Sequence, residues 1–229
     1  MPQPTLLPQA PKPRKKAKAA GALLAGAMAV STPAQATMRE IYTPGFEEYL
    51  KDVEGYGAGF DKKTSLYHAY PDIKGNSTIG VGHKILPGEE KKYAKGLTEQ
   101  AVNELLRTDV EIHMERAKAY VSTHFGQGAW RALEPIKKQM LTDYAFNPGL
   151  GKFPKFTKAV VDNDWEKAYM EMNRYAVLRD KTGTVYEARL LERRNEAFYE
   201  NFLRPLREEE HEARDRVVED LAVKAMEPG

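Results

Sequence analysis

One segment, residues 67–85, alternates in strand fashion, while nearly everything after it repeats its apolar residues at helical spacing. That asymmetry leaves room for only a small sheet. It predicts an α+β chain, mostly α, in which a small β-hairpin lobe is joined by a long helix to a larger helical lobe. The alternating segment is expected to bend at 72–76, where Gly75-Asn76 supplies the turn. Past the bend, Ile79, Val81 and His83 are expected on one face and Thr78, Gly80 and Gly82 on the other. The second face is nearly bare of side chains, a floor that a bulky ligand can approach closely.

The helices follow from their stripes. Phe46, Tyr49, Leu50 and Val53 recur at helical spacing and stop at Gly55, so the folded part is expected to begin near Pro44. Residues 56–66 are polar and glycine-containing and read as a loop. Thr98 is a predicted N-cap for a long helix with the stripe Ala101, Val102, Leu105, Leu106 and Val110, running to about Val121. Another helix carries Leu133, Ile136, Met140, Leu141 and Tyr144 and stops at Asn147-Pro148-Gly149. Asp164 is expected to cap the next, and a further helix is expected over 185–203. Pro205 is read as a break, followed from Arg207 by an acidic, weakly amphipathic helix with too little apolar surface for a core of its own.

Charge and composition narrow the chemistry. The 229 residues hold no cysteine, which removes disulfide switching, thiolate zinc sites and cysteine catalysis. The five histidines show no metal-ligand spacing, and no cofactor is expected. The formal net charge of +2 divides into +5 on residues 1–36, from Lys12, Arg14, Lys15, Lys16 and Lys18, and −3 on the rest. The remainder therefore offers no basic patch for nucleic acid, and none is expected as a partner. In the first 36 residues the basic run precedes an apolar stretch at 19–30 and an Ala34-Gln35-Ala36 site. That order matches an export signal or a signal-anchor with transient inner-membrane contact, since the apolar run is short for a membrane span. Three units are expected: a leader over 1–36, a globular domain over 37–206 and an acidic helical tail over 207–229.

Three residues organise the candidate site. Glu54 closes the first helix in Val53-Glu54-Gly55, Asp72 opens the hairpin turn, and Thr78 follows six residues later. Glu54 lies beside the apolar stripe and in the last helical turn, and both positions favour a protonated carboxyl, as a general acid requires. Two acids flanking a sugar–sugar bond are what glycoside hydrolysis uses: one protonates the leaving oxygen, the other handles water or the developing positive charge. Taken singly, Asp72 also suits a purely structural turn role, and Glu54 an ordinary helix end. Asp109 falls on the apolar stripe of the long helix and needs a partner, and His83 is the candidate, forming a buried ion pair between hairpin and helix.

Together these segments resemble a family. Glu54-Gly55, Tyr70 to His83, Gly96 to Val110, Ala145 to Gly149 and Leu190 to Glu196 follow in order the pattern of the phage-type lysozymes of glycoside hydrolase family 24, the T-even endolysin type. The resemblance covers about residues 44–203, and Thr78-Ile79-Gly80-Val81-Gly82-His83 with an acid six residues before its threonine is its most specific part. It implies a lysozyme-like two-lobed fold and cleavage of the β-1,4 bond between N-acetylmuramic acid and N-acetylglucosamine in peptidoglycan. Glu54 matches the general acid, Asp72 the second carboxylate, Thr78 the threonine near the attacking water, and His83 with Asp109 a paired histidine and aspartate. Gly80, Gly82 and Asn147 would line the substrate cleft. It further implies a phage-encoded, monomeric endolysin exported to the host periplasm or cell wall. The chain departs from the pattern in a longer Glu54–Asp72 spacing, in Lys155-Phe156-Thr157 where serine-threonine is common, and in its acidic tail. Arg189, Arg193 and Arg194 are alternative neighbours for the catalytic acid. Two rival readings stand beside hydrolysis: a lytic transglycosylase acting on the same bond, and a wall-binding or virion structural module without chemistry.

Overall fold

The computed structural model describes residues 38–226 except 73, 147–148, 180–181 and 183–184. The expectations for the leader and for Asn147 lie outside the described residues. In chain order come α1 (Pro44–Val53), β1 (Phe60–Asp61), β2 (Leu66–Tyr67), β3 (Tyr70–Pro71), β4 (Ser77–Ile79), β5 (His83–Lys84), α2 (Glu90–Tyr93) and α3 (Glu99–Phe125). There follow α4 (Ala129–Ala132), α5 (Pro135–Phe146), a 3-10 turn at Leu150–Lys152, α6 (Pro154–Asp162) and α7 (Trp165–Glu171). The chain ends with β6 (Tyr175–Arg179), β7 (Val185–Leu190), α8 (Glu192–Phe198), a π turn at Tyr199–Leu203 and α9 (Arg204–Met226). The architecture is α+β and mostly helical, with small antiparallel sheets, as the periodicity predicts.

The spine is α3. Thr98 Oγ1 accepts the Ala101 N–H at 3.2 Å, the expected cap, and the 27-residue helix that follows is about 40 Å long. Val102, Leu106, Val110, Met114, Ala117 and Val121, spaced three or four apart, are all buried along one face. Each large aliphatic so buried contributes about 1.5–3 kcal/mol. In the helical lobe the Tyr144 ring of α5 stacks on Phe156 of α6 at 3.9 Å and meets Phe198 of α8 edge-on at 5.1 Å. Asp164 caps α7 by accepting the Lys167 N–H at 3.0 Å, as expected.

Several expectations need correction. The fold starts before Pro44: Met38 and Ile41, in a helical turn at 38–41, are already in the core. Residues 56–66 are not plain loop, because Phe60↔Tyr67 and Asp61↔Leu66 pair as β1 and β2. The alternation of 67–85 resolves into three very short strands in the order β3-β4-β5. Gly80 and Gly82, at φ +64° and +73°, make a turn between β4 and β5, not a strand floor. The two-face pattern breaks with it: Ile79 packs with Ile85 and Tyr93, while Val81 joins the main core.

The other two corrections concern the C-terminal part. Residues 185–190 form β7 against β6, and helix resumes only at Glu192. Their residues fit either period, and the partner strand at 175–179 decides between them. Pro205 does not break the path, since α9 runs from Arg204 to Met226 across the boundary drawn at 206. The proline sits in the first turn of α9, directly after the π turn. The π turn interrupts the i to i−4 ladder just where the proline has no N–H to contribute to it.

Candidate active site

Thr43 starts α1 by accepting the Phe46 N–H at 3.2 Å, and Pro44 sits in its first turn. The helix ends at Val53, with Glu54 as C-cap donating its N–H to the Leu50 carbonyl at 2.9 Å, and Gly55 turns away at φ +81°. This puts the Glu54 side chain, 14% exposed, between the lobes. A Cβ added at Gly82 would lie 3.4 Å from Glu54 Oε2, so the glycine lets the turn after β4 close against the acid. Gly80 is placed differently: its open side meets Val102 of α3 at 3.3 Å. Of the two glycines expected in the cleft, Gly82 adjoins Glu54 and Gly80 packs on the spine.

A cation holds the acid. Arg194 of α8 donates from Nη1 to Glu54 Oε1 at 2.6 Å and from Nη2 to Asp143 Oδ1 at 2.7 Å. Arg174 completes the chain, donating to Asp143 Oδ2 at 2.5 Å, with its guanidinium 4.4 Å from the Tyr144 ring and 4.9 Å from that of Phe198. Asp143 and Arg174 are fully buried. Burial alone would raise the Asp143 carboxyl, but the charges of Arg174 and Arg194 outweigh it and hold it below the ordinary value. Burial works to lower the Arg194 guanidinium, and Asp143 and Glu54 more than reverse this, so it stays cationic. Arg194, not Arg193, neighbours the acid; Arg193 pairs instead with the Asp52 carboxylate.

Asp72 is held by its own turn. Oδ1 accepts the backbone N–H groups of Lys74 and Asn76, each at 2.8 Å, and Oδ2 accepts the Asn76 side-chain amide at 2.8 Å. Desolvation pushes this carboxyl up, but the Asn76 and Lys74 hydrogen bonds and the Lys74 charge together carry it below the ordinary range. Thr78, across from Tyr70 in the β3–β4 register, is buried and donates its hydroxyl to the Asn76 carbonyl at 3.2 Å. His83 and Asp109 meet as expected, Nδ1 to Oδ2 at 2.9 Å, and the Tyr93 hydroxyl reaches His83 Nε2 at 3.1 Å. The pair ties β5 to α3 behind the site.

Sequence reasoning missed three groups. Tyr70, in β3, stands two residues before Asp72, a spacing that was available in the sequence. Burial raises its hydroxyl, opposed by the Gly82 N–H and reinforced by the charges of Glu54 and Asp72, so it stands within electrostatic reach of both acids. Asp143 sits among buried α5 residues, the same signal that marked Asp109. Arg174, just ahead of β6, gave no periodic signal.

The hairpin, the long helix and most of the helical lobe have counterparts among known sequences. The family model described as Phage lysozyme matches residues 64–197, and the chain belongs to that family. The matched region begins C-terminal to Glu54, so the contacts above, and not the match, place that residue. Among individual proteins, the chain is similar to the pre-baseplate central spike protein Gp5 of Enterobacteria phage T4, at 30% identity over 118 residues. That alignment covers 44% of this chain and 20% of Gp5, so the chain spans about a fifth of that relative's length. Among solved structures it is similar to the muramidase domain of SpmX from Asticaccaulis excentricus, with a TM-score of 0.47 and 21% identity over 70% of this chain and 96% of that one.

Proposed function

We propose that the chain is a muramidase that hydrolyses the β-1,4 bond between N-acetylmuramic acid and N-acetylglucosamine in peptidoglycan. The observation that carries this reading is the Glu54 carboxyl, gripped at Oε1 by Arg194 at 2.6 Å while Gly82 leaves space beside Oε2. Among the described residues Oε2 has no hydrogen bond, which suits the oxygen that hands a proton to the bridging oxygen. Asp72, kept ionised by its turn, is suited to steady the oxocarbenium-like state or orient water, with Thr78 placing that water. Inversion at the anomeric carbon is expected, with the carboxyls about 6.5–9.5 Å apart to admit the water. The leader would deliver the enzyme through the inner membrane to the periplasm or wall of a phage host, where it acts as a monomer. Cell fractionation that finds the full chain confined to the cytoplasm would reject delivery by the leader.

The test is mass analysis of products from purified peptidoglycan incubated with the full chain. Reducing muropeptides are expected. Glu54→Gln should abolish them with the fold intact by circular dichroism, and Asp72→Asn should slow turnover by roughly 10²–10⁴-fold. Anhydro-muramyl ends together with a nearly normal Asp72→Asn enzyme would assign a lytic transglycosylase. No product from a folded, wall-binding chain would assign a structural module.

A further inference from the structure

The outer part of α9 presents a face that no other described residue covers. From His211 to Leu221 every residue is exposed, and Val217, Val218 and Leu221 stand at 57%, 65% and 61% exposure. With 3.6 residues per turn these three share one band along the helix, with Asp215 on one edge and Asp220 on the other. Neighbouring large aliphatics of this kind mark a contact surface, whereas singly scattered ones do not. We infer that the band is the docking site for this chain's own leader, residues 12–30, an inference that does not depend on the muramidase reading.

Charge selects the occupant. Residues 207–221 hold seven acids against three arginines. Two of those arginines are already engaged, Arg207 with Glu166 at 2.9 Å and Arg214 with Glu210 at 2.6 Å. Among the described residues Glu209, Glu212, Asp215 and Glu219 make no ion pair. Residues 12–18 supply Lys12, Arg14, Lys15, Lys16 and Lys18 with no acid, and residues 19–30 follow with Leu23, Leu24, Met28 and Val30. One segment therefore brings both the cations that the edges lack and the apolar groups that the band needs. A second copy of α9 is a poor occupant, because its aspartates would face those of the first.

Reach is sufficient. The Tyr42 N–H donates to the Met38 carbonyl at 2.7 Å, so the two residues are one helical turn apart and Met38 lies within about 20 Å of Phe46. The Phe46 ring is 6.2 Å from that of Phe202, two residues before α9 begins. From Arg204 to Val217 the helix rises about 20 Å. The stretch from Lys18 to Met38 extends to about 66–72 Å, longer than the whole of that path.

Docking has a consequence for the leader. A polybasic segment beside an apolar run is drawn to anionic bilayers, and the acidic edges of α9 compete for the same cations. While docked, the leader is withheld from the membrane, so the tail sets when it engages one. The globular domain and its acids take no part.

The experiment uses the full chain and a full-chain variant carrying Val217→Ser, Val218→Ser and Leu221→Ser, with circular dichroism as the check that both keep the fold. A zero-length carbodiimide joins lysines to carboxylates, and mass analysis at low protein concentration locates the links. In wild type, Lys12, Lys15, Lys16 and Lys18 should link mainly to acids between Glu208 and Asp220, and either high salt or the serine variant should remove most of these links. Links scattered over the acids of the whole domain, or unchanged in the variant, overturn the inference. Mixing isotope-labelled and unlabelled chains identifies the source. Links within one chain support it, and links between chains make a second copy the occupant and overturn it. Flotation with vesicles of phosphatidylcholine and phosphatidylglycerol reads the consequence: the variant, its leader free, should bind about tenfold tighter than wild type. Equal binding overturns the inference, and so does weaker binding by the variant, which would make the band itself a membrane contact.

Discussion

The two acids of the site are held by opposite means. Among the described residues, every hydrogen bond to the Asp72 carboxylate comes from within four positions of it, and the turn would keep that carboxylate whatever packed nearby. Glu54 is held from 140 positions away by Arg194, which depends on Asp143 and so on Arg174. The difference teaches where precision is needed. A carboxylate that only has to remain charged can be set by a local turn in partial contact with solvent. On the proposed reading Glu54 is a proton donor to be aimed at one atom, a task that a buried network anchored in the helical lobe is suited to.

The largest effect that would break this comparison is Asp143→Ala. It leaves two buried guanidinium groups without their counter-charge, and unfolding by urea should show about 3–5 kcal/mol of lost stability. Loss under 1 kcal/mol would mean that the network is not anchored as described. Acid titration sharpens the contrast. Asp72 and Asp143 both lie below the ordinary aspartate value of 3.8, so each stabilises the fold above that pH and loses its contribution as pH falls through its depressed value. Asn76→Ala disturbs only the half-buried Asp72 turn, so its acid unfolding should keep most of the wild-type steepness, whereas Asp143→Asn should flatten it. Equal flattening in both would remove the distinction.

In urea, Asn76→Ala should cost about 0.5–1 kcal/mol, because the turn retains two backbone hydrogen bonds to Asp72. The smallest effect is expected from truncation after Leu206. α9 leaves Val217, Val218 and Leu221 at 57–65% exposure, and its docking consists mainly of Arg207 on Glu166 at 2.9 Å and on the Tyr169 ring at 4.4 Å. The melting temperature should fall by no more than a few degrees, with cleavage of isolated wall fragments unchanged. A collapse of either would show that the tail belongs to the helical lobe.

The sequence by itself determined what depends on a few neighbouring residues. The caps at Thr98 and Asp164 bond within three positions, and the turn opened by Asp72 closes within four. The stripe of α3 also announced that Asp109 needed a partner, and the glycine turn held the right histidine to supply it. Asp143 carried the same mark on α5 and could have been read. Tertiary structure alone decided the rest. Residues 185–190 become strand because 175–179 pair with them, and Pro205 is tolerated because a π turn precedes it. Arg194 is chosen over Arg193 by the direction each takes from α8, a matter of one residue in helical register. The physical reason is the same throughout. Local hydrogen bonds are fixed by the order of residues along the chain, but burial and charge pairing depend on which distant groups share a space from which water is excluded.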